Sequence, residues 1–348
     1  MTGPSFERID YQLRYNKHIE RKLVFDVLAR AKLSINFDSH RYLGFGSMWF
    51  SDFRLAHRVL GLNSMISMER EEYSARATFN QPYRCIEVHG ENSTAFLRKL
   101  KWDSPFISWL DYDGCLETSV VEDLGILLDH CPADSVVLVS VNAKRSNYRP
   151  KGSIKEIVGK RLGTALGQVE ALLGSGVVSP RFEPPKVETG AAHGDVSEEN
   201  FVEFFAEALL AFMAHRVASA ARKFGVSPDG KDIPLRFLPL FNFCHKDGVE
   251  MVTVGGVVCS ASDDGNRWCN DAALGLERNP TDRLPAHQRL DLVPLTLREK
   301  LTLDSCLPHE EPNFLVEAKG KGIRLDDSEL SKYWRYYGQF PVFFEVPV

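Results

Sequence analysis

Apolar side chains recur at helical spacing between residues 17 and 33, where Ile19, Leu23, Val24, Val27, Leu28 and Ala31 are separated by Lys and Arg. The spacing predicts an amphipathic helix. Near 41–46 the pattern shortens to a predicted strand, and Trp49 to Leu60 returns to helical spacing, with Phe50, Phe53, Leu55, Ala56 and Val59 as buried positions. Gly61 then stands where glycine commonly ends a helix. Met65–Glu69 predicts a second strand, Cys85–Val88 a third, and Phe106–Leu110 a fourth that ends in Asp111-Tyr112-Asp113-Gly114. Val136–Val141 predicts a fifth, ending in Asn142; its unbroken apolar run suits a strand buried on both faces.

Beyond the fifth strand the alternation weakens. Residues 154–174 read as helical, 176–198 as a connection with Pro, Gly and Ser, and 198–224 as a strong helix capped by Ser197, with Asn200 three positions on. Two apolar runs, Leu235–His245 and Val249–Cys259, flank Lys246-Asp247-Gly248, and Asp-Gly in that setting predicts a hairpin. The tail reads as a polar loop, a helix and a last aromatic strand, Phe340–Val346. The expected organisation is a helical lead-in over 1–34, a doubly wound, Rossmann-like α/β domain over 35–260 whose mostly parallel sheet ends in an antiparallel hairpin, and a packed extension over 261–348.

Composition adds limits. At 348 residues, 44% hydrophobic and 26% charged, the chain can bury a large core. A formal charge of −5 argues against a generally basic nucleic-acid coat. No apolar run is long enough to span a membrane, and the start carries acids rather than a secretory signal. Seven scattered cysteines with no Cys-x-x-Cys pair disfavour a zinc site or a disulfide framework, so a reducing cytoplasm is expected.

The candidate chemistry gathers around the first two predicted strands. Tyr42-Leu43-Gly44-Phe45-Gly46-Ser47 is a strand followed by a glycine turn, and Glu69 closes the next strand 23 residues after Gly46. Roughly 20 residues separate turn and acid in nucleoside-binding α/β units, where glycines admit the ligand to the backbone and the acid takes the ribose hydroxyls. A tight turn without ligand and a solvated acid in Glu69-Arg70-Glu71-Glu72 are the plain alternatives. His89 and Glu91, after the third strand, are candidates to border a base. Asp111, Tyr112 and Asp113 end the fourth strand, over the crevice where open α/β sheets bind ligands. Asp111 leads as the catalytic candidate, by orienting a ligand or accepting a proton. Asp111 and Asp113 with Asn142 form an oxygen set that can also hold a divalent cation. Tyr112 suits stacking or packing.

Arg14, Lys17, Arg21 and Lys22 read as a solvated helix face, with contact to an anionic partner such as RNA as the alternative. Lys144, Arg145 and Arg149 follow the fifth strand, where they can meet a phosphate. His40, His57, His215 and His245 lack metal spacing and read as ordinary helix or turn residues. Tyr333, Trp334, Tyr336, Tyr337 and Phe340 read as packing for the last strand, with base stacking as the alternative.

Several of these segments together resemble a known family. Tyr42-x-Gly-Phe-Gly-Ser, Phe50-x-Asp-Phe53, Ile66-Ser-x-Glu69 and Trp109-Leu-Asp-Tyr-Asp113 are similar to the bacterial family of "putative O-methyltransferases". So are Tyr11-x-Leu-Arg-x-Asn-Lys-x-Ile-Glu-Arg-Lys22 at the start and Tyr333, Tyr336-Tyr337 and Phe340-Pro-x-Phe-Phe-Glu-Val346 at the end. The resemblance spans nearly the whole chain. It implies a class I fold that binds S-adenosylmethionine, with Gly44, Phe45, Gly46, Ser47, Glu69 and Asp111 toward the cofactor and Asp111, Tyr112 and Asp113 toward catalysis. It leaves the acceptor open, small molecule or RNA. A catalytically silent cofactor sensor or partner subunit of a multi-protein bacterial system, and a nicotinamide-dependent enzyme, are the competing readings.

Overall fold

The computed structural model describes residues 14–148, 164–177, 179–182, 196–220, 224–226, 232–260, 268, 270–278 and 284–341. The first half alternates helix and strand: α1 (Tyr15–Ala31), β1 (Arg41–Gly44), α2 (Ser51–Leu60), β2 (Met65–Glu69), α3 (Glu71–Asn80), β3 (Ile86–Gly90), α4 (Ser93–Lys99), β4 (Phe106–Cys115), α5 (Thr118–His130) and β5 (Ser135–Asn142). The second half adds α6 (Ala165–Leu173), α7 (Glu198–Ser219), β6 (Phe224–Val226), β7 (Asp232–Lys246), β8 (Glu250–Ser260), α8 (Asp271–Leu274) and β9 (Gln288–Leu290). It closes with α9 (Leu297–Asp304), α10 (Glu311–Gly320) and α11 (Asp327–Tyr336).

One sheet runs through the molecule in the order β3-β2-β1-β4-β5-β8-β7-β6, with β9 beside β7. The strands from β3 to β5 are parallel; β8 joins β5 antiparallel, and β7 pairs β8 antiparallel across the expected Asp247-Gly248 turn. This is the Rossmann-like arrangement expected, a parallel sheet finished by a hairpin. Every residue of β5 is buried, as its apolar run predicted. Helices cover both faces. Phe96, Leu124, Val169 and Phe205 of α4, α5, α6 and α7 belong to one apolar cluster. Val24, Phe53, Leu303, Phe314 and Tyr333 of α1, α2, α9, α10 and α11 belong to the other.

The departures from the sequence reading are informative. Helix α2 starts at Ser51, because Phe50 has a left-handed backbone (φ 49°) that cannot continue a helix. Glu69 is buried at the end of β2 and is not a solvated strand-end acid, whereas Glu71 and Glu72 are exposed and open α3. His89 lies within β3, and β4 extends through Asp111-Tyr112-Asp113 to Cys115, its register with β5 shifting between Asp111 and Cys115. Among the described residues the tail holds three helices beyond β9, and of the aromatic cluster Tyr333, Trp334 and Tyr336 sit on α11, with Tyr337 and Phe340 just past its end. Tyr333, Tyr336 and Phe340 are buried while Tyr337 is exposed; Tyr333 lies between Phe314 and Phe340, and its hydroxyl donates to Asp304 at 2.5 Å. The predicted strand over Phe340–Val346 lies, beyond Pro341, outside the described residues, as do Arg149, residues 154–163 and most of the 176–198 connection. Among the described residues no helix is long and apolar enough to cross a membrane.

Candidate active site

The order β3-β2-β1-β4 reverses chain direction between β1 and β4, and a crevice opens beyond the C-terminal ends of strands at such a switch point. A cavity of about 710 Å³ lies there, within the range of ligand pockets. Phe45, Gly46, Ser47, Glu69, Asp111, Tyr112 and Asp113 all line it, from three different strand ends. Gly44, one residue deeper in β1, does not. A side chain at Gly44 would press on the Trp109 carbonyl at 3.0 Å, so this glycine serves strand packing.

The turn after β1 is fixed by β2. The Gly46 N–H donates to Ser67 Oγ at 3.0 Å, and the Ser47 N–H donates to Glu69 Oε1 at 2.7 Å. Ser67 Oγ in turn donates to the same Glu69 oxygen at 3.0 Å. A Cβ on Gly46 would meet the buried Phe50 ring and lie 2.7 Å from Ser67 Oγ, so only glycine fits here. Glu69 thus has a part the sequence did not show: one oxygen holds the turn while the residue lines the cavity. Burial raises its pKa, opposed by the hydrogen bonds from Ser67, Ser47 and Gly46.

On the opposite wall, Tyr112 is held rather than free. Its hydroxyl donates to Asp123 Oδ2 at 2.6 Å, and its ring meets Phe45 edge-on at 5.0 Å. Ser93 donates to the same Asp123 oxygen at 2.5 Å, and Thr94 donates to its other oxygen. Burial, then the charge of Asp123, pushes the Tyr112 hydroxyl well above its ordinary pKa, which suits it as a positioned ring and not as a proton acceptor. Asp113 is exposed at the cavity mouth.

Asp111 is gripped from α1. Lys17 Nζ lies 2.9 Å from Asp111 Oδ1, 2.9 Å from Glu20 Oε2 and 3.1 Å from Ser140 Oγ, and it sits over the Trp109 ring. Arg21 approaches Asp111 Oδ2 at 3.7 Å and lines the cavity. The solvated reading is therefore overturned for Lys17 and Arg21, which are 4% and 7% exposed, with Glu20 fully buried beside them, while Arg14 and Lys22 are only partly covered. The physical reason is register. Lys17, Glu20 and Arg21 continue the stripe of Val24, Leu28 and Ala31 at spacings of three and four, so they face the sheet. That signal was present in the sequence and is the one missed. Asp247, in the β7–β8 turn, anchors the start of the helix by accepting from the Lys17 N–H at 3.0 Å and from Asn16 Nδ2 at 2.9 Å. His245, read as a helix or turn residue, lies in β7, buried, with Nε2 3.4 Å from Glu20 Oε2.

Burial works against charge in this network, and pairing prevails. Desolvation alone would lower the Lys17 pKa, yet Asp111 and Glu20 raise it above the ordinary value. Burial would raise Glu20, yet Lys17 and His245 hold it well below the ordinary carboxylate range.

The remaining candidates lie elsewhere. Asn142 does not line the cavity, and its Oδ1 accepts from the Lys144 N–H at 2.9 Å. Among the described residues no group of three or more His, Cys, Asp or Glu is arranged to hold a metal ion. Arg145 is engaged by Glu198, from its backbone N–H at 2.9 Å and its Nε at 3.2 Å, and ties β5 to the start of α7 instead of facing the cavity. Glu91 lines the cavity, whereas His89 packs on Phe96 away from it.

A family profile described as "Putative O-methyltransferase" matches residues 9–348. Curated proteins give no match. Solved structures with similarity include the O-methyltransferase TomG from Streptomyces achromogenes in complex with SAM, at 12% identity over 68% of this chain and 79% of that one, TM-score 0.33. Trm1 from Pyrococcus horikoshii, solved with S-adenosyl-L-methionine, is 9% identical over 72% of this chain and 58% of its own, TM-score 0.41. LepI, in complex with SAH and a substrate analogue, is 12% identical over 66% of this chain, TM-score 0.32, and the match spans 46% of its length.

Proposed function

The chain belongs to the family of putative O-methyltransferases, and from that premise we propose that it transfers a methyl group from S-adenosylmethionine to an oxygen of an acceptor in the cytoplasm. The observation that carries the reading is the meeting of Glu69, at the end of β2, and Asp111, in the second half of β4, on one cavity with the glycine turn after β1. The lining fits the cofactor's chemistry. Seven carboxylates (Asp52, Glu69, Glu91, Asp111, Asp113, Glu117, Asp123) face two guanidinium groups (Arg21, Arg70), a balance that attracts a sulfonium cation. The same balance repels phosphate, which favours a small hydroxyl-bearing acceptor over RNA.

Bound there, S-adenosylmethionine would supply an activated methyl carbon for in-line displacement, the carbon–sulfur electron pair passing to sulfur and the acceptor's hydroxyl proton to the Asp111 carboxylate or to water. The residues of this chain position the partners. Glu69 offers a carboxylate to the ribose hydroxyls while it fixes the turn, Asp111 is a fixed anion beside the reacting region, and Tyr112 presents a ring locked by Asp123. Positioning of this kind supplies much of the barrier reduction in a displacement that needs little acid–base help.

The experiment incubates the protein with methyl-labelled S-adenosylmethionine and fractionated small-molecule and RNA pools. Label in an alcohol- or phenol-bearing small molecule, lost in Asp111→Asn, is the expected result. Cofactor binding with no transfer to any pool would contradict it and favour a silent cofactor sensor, a reading that the ion pairing of Asp111 with Lys17 also suits.

A further inference from the structure

The two cations that α1 places one turn apart on the same face are not equivalent. Lys17 has three donors and three acceptors within reach, the oxygens of Glu20, Asp111 and Ser140. The protein meets it with two ion pairs, to Glu20 and Asp111, and one hydrogen bond, to Ser140. Arg21 has five N–H donors in a planar fork, and among the described residues its guanidinium makes no hydrogen bond; its ion pair with Asp111 Oδ2 is long, at 3.7 Å. It is nevertheless 7% exposed and borders the cavity. None of its nitrogens is among the sealed, unpartnered polar atoms, so its donors face the cavity, where a ligand would replace the water that meets them. Arg70, the other cation of the lining, is exposed on the rim. Arg21 is therefore the one deeply placed positive group that the cavity offers to a ligand.

Its neighbours define what that ligand looks like. Beside Arg21 stands Asp111, held in place by Lys17 and only partly covered, with 26% of its side chain exposed. Asp52, whose carboxyl also feels the charge of Arg21, accepts from the Tyr42 hydroxyl through Oδ2 at 2.5 Å. A donor fork next to an acceptor carboxylate is the complement of an α-amino acid, in which a carboxylate and an ammonium share one carbon. Guanidinium binds carboxylate through two parallel hydrogen bonds, and carboxylate binds ammonium.

We propose that Arg21 and Asp111 form a zwitterion receptor: Arg21 takes the carboxylate, and Asp111 the ammonium, of the amino-acid end of the cofactor. This rests on the S-adenosylmethionine reading above and goes further, because it makes α1 part of the binding site and makes the cofactor's carboxylate a requirement. The requirement separates the proposal from bulk electrostatics. The lining has an excess of carboxylates, so charge alone would favour a cofactor that had lost its carboxylate. Arg21 reverses that order.

The test compares equilibrium binding of S-adenosylmethionine, decarboxylated S-adenosylmethionine and 5′-methylthioadenosine to the wild-type protein, to Arg21→Gln and to Arg21→Lys. Two charge-assisted hydrogen bonds to one carboxylate correspond to an affinity difference of about 30-fold or more. The expected result is that wild type prefers S-adenosylmethionine over its decarboxylated form by that factor. Arg21→Gln should lose the preference without weakening the decarboxylated ligand, and Arg21→Lys, which keeps the charge but not the fork, should fall between. Equal or tighter binding of the decarboxylated form to wild type overturns the proposal and leaves the methyltransferase reading standing; this arm needs no variant to fold. A uniform loss across all three ligands in Arg21→Gln, repeated in Arg21→Lys, overturns it as well. Failure of wild type to bind any of the three overturns both readings.

Discussion

The two walls of the cavity were built in different ways. One is local: the turn after β1 and the end of β2 lie within 30 residues, and Gly46, Ser47, Ser67 and Glu69 bond to one another directly. The other is assembled from afar. Asp111 is held by α1, and α1 is anchored by Asp247, 230 positions away from Lys17. The local wall depends on backbone geometry and one carboxylate. The distant wall depends on buried charges that are tolerable only while every partner is present. The local wall should therefore fail in binding first, and the distant wall in stability first.

Lys17 is where that difference is greatest. Lys17→Met leaves Glu20 and Asp111 without their shared cation, and breaking a buried ion pair from one side costs on the order of 3–5 kcal/mol. Chemical denaturation should show a loss of that size; a change under about 1 kcal/mol would mean the network is incidental. Glu69→Ala comes next. It strands the Ser47 N–H, for a stability loss of about 1–3 kcal/mol, and removes the carboxylate from the cavity. Cofactor affinity should fall by a larger factor than in any variant of Asp247, and the opposite order would erase the contrast between the walls.

Asp247→Ala removes the distant anchor of α1 without touching the cavity. It should cost about 0.5–2 kcal/mol, as losing a helix N-terminal acceptor does, and should leave cofactor affinity of the folded protein within a few-fold. Tyr112→Phe should have the smallest effect, about 1 kcal/mol, because Asp123 keeps its bonds from Ser93 and Thr94. Methyl transfer should persist in this variant, and a collapse of turnover with stability intact would make the Tyr112 hydroxyl a participant.

The same network sets a pH window. Glu20 sits below its ordinary value of 4.5, so its contribution to stability is complete above that pH and is lost as the pH falls toward the folded-state value. Lys17 is raised above 10.5, so its contribution is complete below 10.5 and is lost as the pH rises through the folded-state value. Urea midpoints should hold across the interval between and fall on either side of it. Glu20→Gln should be less stable at neutral pH yet show a shallower decline on acidification; an unchanged acid limb would remove Glu20 from the account.

The parallel sheet and its hairpin were legible in the sequence because strands buried on both faces and an Asp-Gly turn carry local signals. The glycine turn and Glu69 were legible for the same reason. The grip on Asp111 was not, since it joins residues nearly a hundred positions apart. The polar residues of α1 share a stripe with its apolar ones, and polarity was read as exposure. Lys17 and Glu20 show why that inference fails: each is the other's solvent. The locking of Tyr112 by Asp123 was hidden too, because α5 brings the acid to the ring only after the crossover is built.

The most direct measurement is a calorimetric titration of the wild-type protein and Glu69→Ala with S-adenosylmethionine. The account predicts micromolar binding by wild type and its loss in a variant that remains folded. Absence of binding by wild type would make the cavity and its glycine turn structural features and would contradict the methyltransferase reading.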